Sequence, residues 1–145
     1  MPIFVELVRK AKEATAAAVR ASNTSGGWGE FGAIGAAIQV TDGPVFTGVS
    51  ISLLCGIGFC AEHSATAEMV KHGYTRIERI VAITHDGTVI PPCGRCRELL
   101  YQVNIDNLDA KVLVSDTQEA ELRELLPHVW QEKADFLRRS PYHGR

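Results

Sequence analysis

The chain has 145 residues, about the size of one domain, and 46% of them are hydrophobic, which is ample for a packed core. Charged residues make up 22% and leave a net charge of -2, so the charge gives no reason to expect a nucleic acid partner, which usually attracts a basic patch. Charged residues near the start of the chain argue against a secretory signal, and no apolar stretch reaches the length of a membrane span.

These properties set the first expectations. We expect residues 1–145 to form a single cytoplasmic domain that acts on a small molecule and binds neither nucleic acid nor membrane. Because nothing indicates export, the four cysteines are expected to be thiols or metal ligands and not disulfides.

Hydrophobic spacing predicts the elements of the first half of the chain. Residues 3–21 carry apolar side chains at alternating steps of four and three, which is typical of an amphipathic helix. A loop rich in glycine and small polar residues covers 22–32. Two strands, 33–40 and 45–51, are joined by the turn TDGP.

The second half alternates between helices and strands. A helix is predicted from Cys60 to about His72, a strand at 77–84 and a helix from about Cys93 to Val103. A strand at 110–115 and a helix from 116 or 117 to 126 follow. This order indicates an α/β sandwich with a mixed sheet, in which a hairpin is followed by parallel crossovers. The crossovers bring the N-termini of the two cysteine-bearing helices to the same edge of the sheet.

Three cysteines at these helix starts indicate a metal site. Cys93 and Cys96 are three residues apart, so both thiols lie on one face of the first helical turn. Cys60 starts the other helix, and a helix N-terminus favours thiolate over thiol. Three soft ligands suit Zn²⁺ and leave one of its four positions for water, as in catalytic zinc sites.

A carboxylate accompanies the thiols. Glu62 stands two residues after Cys60, so its side chain points around the helix, away from the direction of the thiol. Zinc lowers the pKa of a bound water from about 16 toward about 7, and a nearby carboxylate can accept the proton and return it to a leaving group. The pattern therefore favours hydrolysis with Glu62 as base and then acid.

Two other uses of the cysteines stay open. C-x-x-C also occurs in redox proteins, although the separate Cys-x-Glu has no role there. Cys55 offers a fourth thiol, and four cysteines would form a closed structural zinc site in a binding protein without turnover. Such a closed site would leave Glu62 without a function.

The paired motifs are similar to those of a known family. C-A-E followed by P-C-x-x-C is the zinc deaminase signature in its three-cysteine form, and the chain resembles the cytidine deaminase superfamily from about residue 33 to residue 130. Within this branch, FTGV, PCGRCRELL and RELLPHVW are most similar to the blasticidin S deaminase group. The resemblance implies a three-layer α/β/α sandwich with a mixed, mostly five-stranded sheet, and usually a homotetramer.

The resemblance also implies a reaction and its residues. One zinc ion per subunit is expected on Cys60, Cys93 and Cys96, with Glu62 moving protons while a cytosine-like ring loses its amino group as ammonia. Ala61 should offer backbone groups to the edge of the pyrimidine. Further substrate contacts are expected from Ser50, Ser52, Phe31 and Trp130.

The chain departs from the family where cytidine deaminases bind ribose. Their Asn-x-Glu-Asn segment is replaced by SISL, so Ser50 and Ser52 stand for an asparagine and the glutamate. Phe31 lies one position earlier than the usual phenylalanine. We therefore expect a cytosine-like ring carried by something other than plain ribose, as in a nucleoside antibiotic such as blasticidin S. Cytidine or deoxycytidine is the alternative substrate.

A second departure lies next to Glu62, where His63 replaces an arginine that binds the thiolates in many relatives. Three thiolates leave Zn²⁺ with a net charge of about -1, which weakens it as a Lewis acid unless neighbouring donors withdraw charge. We hypothesise that His63 or Arg95 supplies these donors.

Overall fold

The structure is a computed structural model that describes residues 2–134, with side chains from Phe4 onward. Its helices and strands follow in the order α1 (Pro2–Thr24), β1 (Glu30–Val40), β2 (Val45–Ser52), β3 (Gly58–Phe59), α2 (Ala61–Lys71), β4 (Ile77–Thr84), β5 (Val89–Ile90), α3 (Gly94–Val103), β6 (Lys111–Ser115), β7 (Gln118–Glu121) and α4 (Leu122–Leu125). Within residues 2–134, no helix combines the length and the apolar character needed to cross a membrane.

The strands form one mixed sheet in the order β3-β2-β1-β4-β6-β7, and β5 pairs with β4. Strand β1 is antiparallel to both β2 and β4, whereas β4 and β6 are parallel. Strands β2, β4 and β6 therefore run in the same direction, which confirms the predicted hairpin and crossovers. Two of the seven strands, β3 and β5, have only two residues each, so five longer strands carry the sheet.

Alternation along β1 divides the core into two layers. Ala36, Ile38 and Val40 pack with α2 and α3, while Ala37 packs with α1 on the opposite face. Successive side chains of a strand point to opposite faces, so one strand serves both layers. Helix α1 covers one face and helices α2 and α3 cover the other, as expected for an α/β/α sandwich.

The segment after β6 corrects the prediction of a helix from 116 or 117 to 126. Residues 118–121 form strand β7, which pairs antiparallel with β6, and the helix begins only at Leu122. Lys111 Nζ donates to Glu121 Oε1 at 2.7 Å, which adds a side-chain contact to this pairing. Pairing with β6 satisfies backbone groups that a helix would have left unpaired at that edge of the sheet, so tertiary context overrides the local preference.

A glycine sets the distance between α2 and the sheet. A Cβ added at Gly48 of β2 would overlap the backbone nitrogen of Ala65 and would lie 2.5 Å from the carbonyl oxygen of Ala61. Ala61 and Ala65 are themselves completely buried. The backbones of β2 and α2 therefore approach closely, and this contact fixes the start of α2, where Cys60 and Glu62 lie.

Candidate metal centre and active-site cavity

The three predicted thiols meet at one edge of the sheet. Cys60 is the N-cap residue of α2, Cys93 is the N-cap residue of α3, and Cys96 lies in the first turn of α3. Strands β2 and β4 run in the same direction on either side of β1, and each is followed by a two-residue strand, β3 or β5, that pairs antiparallel with its end and leads into α2 or α3. Both helices therefore start at the same end of the sheet.

The spacing of the sulfur atoms fits a tetrahedral zinc ion. The Cys60 and Cys93 Sγ atoms are 3.8 Å apart, Cys93 and Cys96 are 3.5 Å apart, and all three sulfurs lie within 4.8 Å of one another. Zinc–sulfur bonds of about 2.3 Å in a tetrahedron place the sulfurs about 3.8 Å apart. The donor set and its spacing therefore match this metal without rearrangement of the backbone.

The fourth cysteine lies outside the cluster. Cys55 is exposed, sits in the loop between β2 and β3 and has a φ of 62°. Among residues 2–134, the metal-binding group consists of Cys60, Cys93 and Cys96, with no further His, Cys, Asp or Glu. Three protein ligands are typical of a catalytic zinc site, whereas a structural site has four, so the geometry disfavours the closed arrangement.

The thiols differ in their electrostatic surroundings. Burial raises the pKa of the Cys60 thiol, and burial together with the charge of Glu62 raises the pKa of Cys96. Burial also acts on Cys93, but hydrogen bonds with the Cys96 N–H, with the Cys96 and Cys60 thiols and with the Arg95 N–H together outweigh it and lower the pKa of Cys93 overall. A dication between the sulfurs favours thiolate at all three positions, so metal binding would release protons.

Glu62 is buried beside the cluster. It lies in the first turn of α2, and only 3% of its surface is exposed. Burial raises the pKa of its carboxyl group above the ordinary value, which brings it closer to neutral pH. The side chain lines a cavity of about 310 Å³ that Cys60 and Cys93 also line. A buried carboxyl group thus faces the same space as two of the thiols.

The walls of this cavity come mainly from strands. Its remaining lining residues are Ile34, Ser50, Ile51, Ser52, Phe59, Ile90 and Pro91. Most of these side chains are apolar, as is usual for sites that bind small molecules. The predicted contacts Ser50 and Ser52 are among them, and the Ser50 Oγ accepts a hydrogen bond from the Ile34 N–H at 3.0 Å. Ala61 is completely buried at the start of α2.

The structure does not bring Phe31 and Trp130 to this cavity. Phe31 lines a separate concavity together with Glu30 and His85. Trp130 is half-exposed, and its Nε1 donates to Glu98 Oε1 at 2.9 Å on the side of α3. Within one chain, neither aromatic ring lies at the site that contains the thiols.

The two predicted charge donors occupy different environments. Arg95 is exposed at the start of α3. His63 is half-buried, and its Nε2 atom is buried without a hydrogen-bond partner among the described residues. Burial, together with the charge of Arg95, lowers the pKa of His63. A neutral imidazole is therefore favoured at this position, and its Nε2 atom is available for a hydrogen bond.

One residue that the sequence reasoning missed fixes the entrance to α3. Arg97 Nε donates to the Pro92 carbonyl oxygen at 2.8 Å, and its Nη1 donates to the Leu125 carbonyl oxygen at 3.2 Å. Its backbone N–H donates to the Cys93 carbonyl oxygen at 3.0 Å. Arg97 thereby holds the peptide before a thiol ligand against the end of α4. Its place directly after Cys96 was the available signal.

Comparison with known proteins places these features in a family. The cytidine deaminase of Mycobacterium tuberculosis is 35% identical over 71 residues, which is 48% of this chain and 53% of that protein. The probable cytidine deaminase of Dictyostelium discoideum is 30% identical over 104 residues, which is 69% of each chain. The blasticidin-S deaminase of Bacillus cereus is 29% identical over 103 residues, 65% of this chain and 74% of that one.

The extent of these matches differs. The chain spans about half the length of the first relative, from Mycobacterium tuberculosis. No protein-family profile matches the chain. The crystal structure of cytidine deaminase from Mycobacterium leprae superposes with a TM-score of 0.70 at 28% identity, covering 85% of this chain and 96% of that one.

The likeness thus includes the fold, and the three clustered cysteines are consistent with the zinc site of cytidine deaminases. Two thirds of the Dictyostelium relative is matched at 30% identity, and nearly the whole of the Mycobacterium leprae structure is matched in space. The chain belongs to the cytidine deaminase family.

Proposed function

We propose that the chain is a zinc-dependent aminohydrolase that converts an amino-substituted pyrimidine to its keto form and releases ammonia. The observation that carries this proposal is a cluster of three thiols, two of which line one cavity together with the buried Glu62. One zinc ion per subunit is proposed, held by Cys60, Cys93 and Cys96. When bound there, zinc supplies a Lewis acid that lowers the pKa of water toward about 7.

Glu62 is the residue proposed to move protons. Its carboxylate accepts a proton from the water that adds to the ring carbon bearing the amino group. It delivers this proton to the ring nitrogen. It then takes the proton of the hydroxyl group that was added to the ring carbon and passes it to the amino group, so the C–N bond breaks, ammonia leaves and a carbonyl remains. Since burial raises the pKa of this carboxyl group, accepting and returning a proton near neutral pH are closer to balance than for an exposed glutamate.

The remaining groups of the site position the ring. Ala61, buried at the first residue of α2, is proposed to present backbone groups to the pyrimidine edge. Ser50 and Ser52 border the cavity on the side of β2. His63 and Arg95 are proposed to reduce the charge of the thiolates from the protein side, because three thiolates exceed the charge of one Zn²⁺.

The substrate is a cytosine-like ring of a nucleoside or of a nucleoside antibiotic such as blasticidin S. The relative from Bacillus cereus, a blasticidin-S deaminase, supports the antibiotic. Cytidine or deoxycytidine is the second candidate, supported by the names of the Mycobacterium and Dictyostelium relatives. A protein that binds zinc without turnover is the candidate from another class, and it would give buried Glu62 no task.

Replacing Glu62 by glutamine separates an enzyme from a zinc-binding protein. We expect the Glu62→Gln variant to retain zinc and to lose about 100-fold to 10,000-fold in kcat, because proton transfer by a side chain contributes that much. Ammonia release from cytosine, cytidine, deoxycytidine and blasticidin S is measured alongside zinc content. Glu68→Gln is the matched control, since Glu68 lies on the same helix and pairs with Lys71 at the surface. A wild-type protein that releases no ammonia from these compounds refutes the proposal.

A homo-oligomer, a tetramer by family resemblance, is part of the proposal. Leu54, Ile57 and Trp28 are 60%, 61% and 84% exposed, and Phe59 is exposed where it lines the cavity. A second copy would remove this apolar surface from water. Phe31 and Trp130 lie away from the cavity of their own chain, so a substrate contact from either would require another copy. Light scattering of the purified protein measures the number of copies.

A further inference from the structure

The cavity holds few groups that can bind the hydroxyls of a sugar. Among its described lining residues, the only carboxylate is Glu62, and there is no asparagine, glutamine, histidine, lysine or arginine. The hydroxyl groups are those of Ser50 and Ser52, and the sulfur atoms belong to the metal cluster. The remaining walls are Ile34, Ile51, Phe59, Ile90 and Pro91.

Ser50 is partly committed to the fold. Its Oγ accepts the Ile34 N–H at 3.0 Å, which joins neighbouring strands β1 and β2. A hydroxyl has one hydrogen to donate and two lone pairs, so Ser50 keeps one hydrogen and one lone pair for a ligand. It cannot accept from two sugar hydroxyls at once.

Ser52 lies at the rim. It is the last residue of β2, is exposed and stands opposite Gly58 in the register of β2 and β3. Its short side chain is open to solvent, so water would compete with any ligand hydroxyl there. Neither serine offers the two adjacent oxygens with which a carboxylate accepts from both hydroxyls of a vicinal diol.

Glu62 cannot take over this task. It is 3% exposed in the first turn of α2, next to the thiol cluster, and proton transfer requires its oxygens. A diol placed in the cavity would therefore leave hydroxyls next to isoleucine, proline and phenylalanine side chains. Buried polar groups without partners weaken binding.

We propose, on the basis of the proposed function, that this site takes pyrimidines whose ring substituent lacks a vicinal diol and is held by apolar contact. The ring and its amino group carry the recognition, and the substituent lies against Ile34, Ile51 and Phe59. Sugars without the 2′ and 3′ hydroxyls fit this surface, whereas ribose loses hydrogen bonds to water and gains few in return.

The first experiment compares two nucleosides that differ only in these hydroxyls. We expect kcat/KM for 2′,3′-dideoxycytidine to equal that for cytidine or to exceed it by up to about 100-fold, because an apolar pocket rejects an added hydroxyl by about that factor. A higher kcat/KM for cytidine than for the dideoxynucleoside overturns the inference. The compound 1-methylcytosine, which carries the ring and a methyl group only, reports on deamination itself.

The second experiment restores a carboxylate at the rim. In the Ser52→Glu variant, the ratio of kcat/KM for cytidine to that for dideoxycytidine should rise by about tenfold or more, since a carboxylate accepts from two hydroxyls at once. Ser52→Gln has the same size without the charge and serves as the matched control. If this ratio is unchanged in Ser52→Glu, the sugar does not lie at the rim where Ser52 stands, and the inference is contradicted.

The outcomes separate this inference from the proposed function. If neither these three compounds nor blasticidin S releases ammonia, the deaminase proposal fails for cytosine rings. Binding of the two nucleosides to the Glu62→Gln variant, measured by calorimetry, then makes the same comparison without turnover. Tighter or equal binding of dideoxycytidine supports the inference, and tighter binding of cytidine overturns it.

Discussion

The two sides of the cavity are built differently. On the side of the metal cluster, Cys60, Glu62 and Cys96 are attached to helix starts whose positions are set by buried backbone contacts such as that of Gly48. On the side proposed to face the ring substituent, Ser52 and Phe59 are exposed residues at strand ends. The chemistry is therefore fixed by packed secondary structure, whereas specificity rests on side chains that can change with little effect on the fold.

Loss of a thiol ligand should have the largest effect. Cys96 is completely buried, and zinc sites bind with roughly 10–16 kcal/mol shared among their ligands, so we expect Cys96→Ala to weaken zinc affinity by about 1000-fold. Competition with a chromophoric chelator measures this affinity. Cys55→Ala is the matched control, because Cys55 is exposed and outside the cluster. If both variants lost zinc affinity equally, Cys55 would have to be a ligand of the metal site as well.

A side chain added at the contact between β2 and α2 should have the second largest effect. A Cβ at Gly48 overlaps the backbone of α2, so Gly48→Ala should lower the free energy of unfolding by about 3 kcal/mol. Urea unfolding of the zinc-loaded protein measures the change. Gly27→Ala adds a methyl group in an open loop, where the nearest atom is 3.6 Å away, and should change stability by less than about 0.5 kcal/mol. A Gly48→Ala protein as stable as the control would mean that α2 is free to move.

The buried side-chain amide of Asn107 stabilises the metal side of the cavity. Asn107 is completely buried, donates to the carbonyl oxygens of Thr75 and Leu100, and accepts from the Ile77 N–H at 2.8 Å. These bonds join the end of α3 to the start of β4. Asn107→Ala removes the partner of three backbone groups, two of them in buried hydrogen bonds, and should destabilise the protein by about 2 kcal/mol. Thermal unfolding tests this value, with exposed Asn23→Ala as a control that should be neutral.

The role of Arg97 predicts a smaller effect on the metal. Lysine cannot bridge the Pro92 and Leu125 carbonyl oxygens as a guanidinium does, so Arg97→Lys should speed zinc dissociation by about tenfold. Cobalt substitution adds a readout, because the absorption bands of the thiolate-bound ion shift if Cys93 is displaced. Arg20→Lys, at an exposed position of α1, should leave both measurements unchanged. If Arg97→Lys had the same spectra and dissociation rate as the wild type, Arg97 would hold α4 without affecting the metal site.

The smallest effect on the stability of a single chain is expected at the exposed residue Ile57. Ile57 is 61% exposed, so Ile57→Ser should change the free energy of unfolding of a single chain by less than about 0.5 kcal/mol. If a second copy covers this surface, the same variant weakens association, which sedimentation across a concentration series detects. An unaltered association constant would show that Ile57 lies outside any interface between copies.

The same division explains which predictions succeeded. The helix starts at Cys60 and Cys93 were predictable because local spacing places Cys93 and Cys96 on one face, and because parallel crossovers bring helix starts together. The strand Gln118–Glu121 was not predictable, since its conformation depends on pairing with β6 and not on its own sequence. The positions of Phe31 and Trp130 also depend on distant contacts, since Leu53 and the Phe31 ring both lie beside Gly29 and Glu98 is bonded to Trp130.

Contacts that involve the backbone were hidden for a related reason. The hydrogen bond from Ile34 N–H to Ser50 Oγ depends on the register of β1 against β2, and no motif encodes that register. Arg97 was visible as a residue, but its two carbonyl partners lie at residues 92 and 125. Such partners become known only when the chain is folded.

The placement of β1 between β2 and β4 has a consequence for how the protein matures. Cys60 and Cys93 are 33 residues apart, and they meet only after β2 and β4 have both paired with β1. Binding of one ion by all three thiols would therefore require synthesis of the chain through Cys96 and the pairing of β1, β2 and β4. It would not require β6 and β7, which follow Cys96 in the chain.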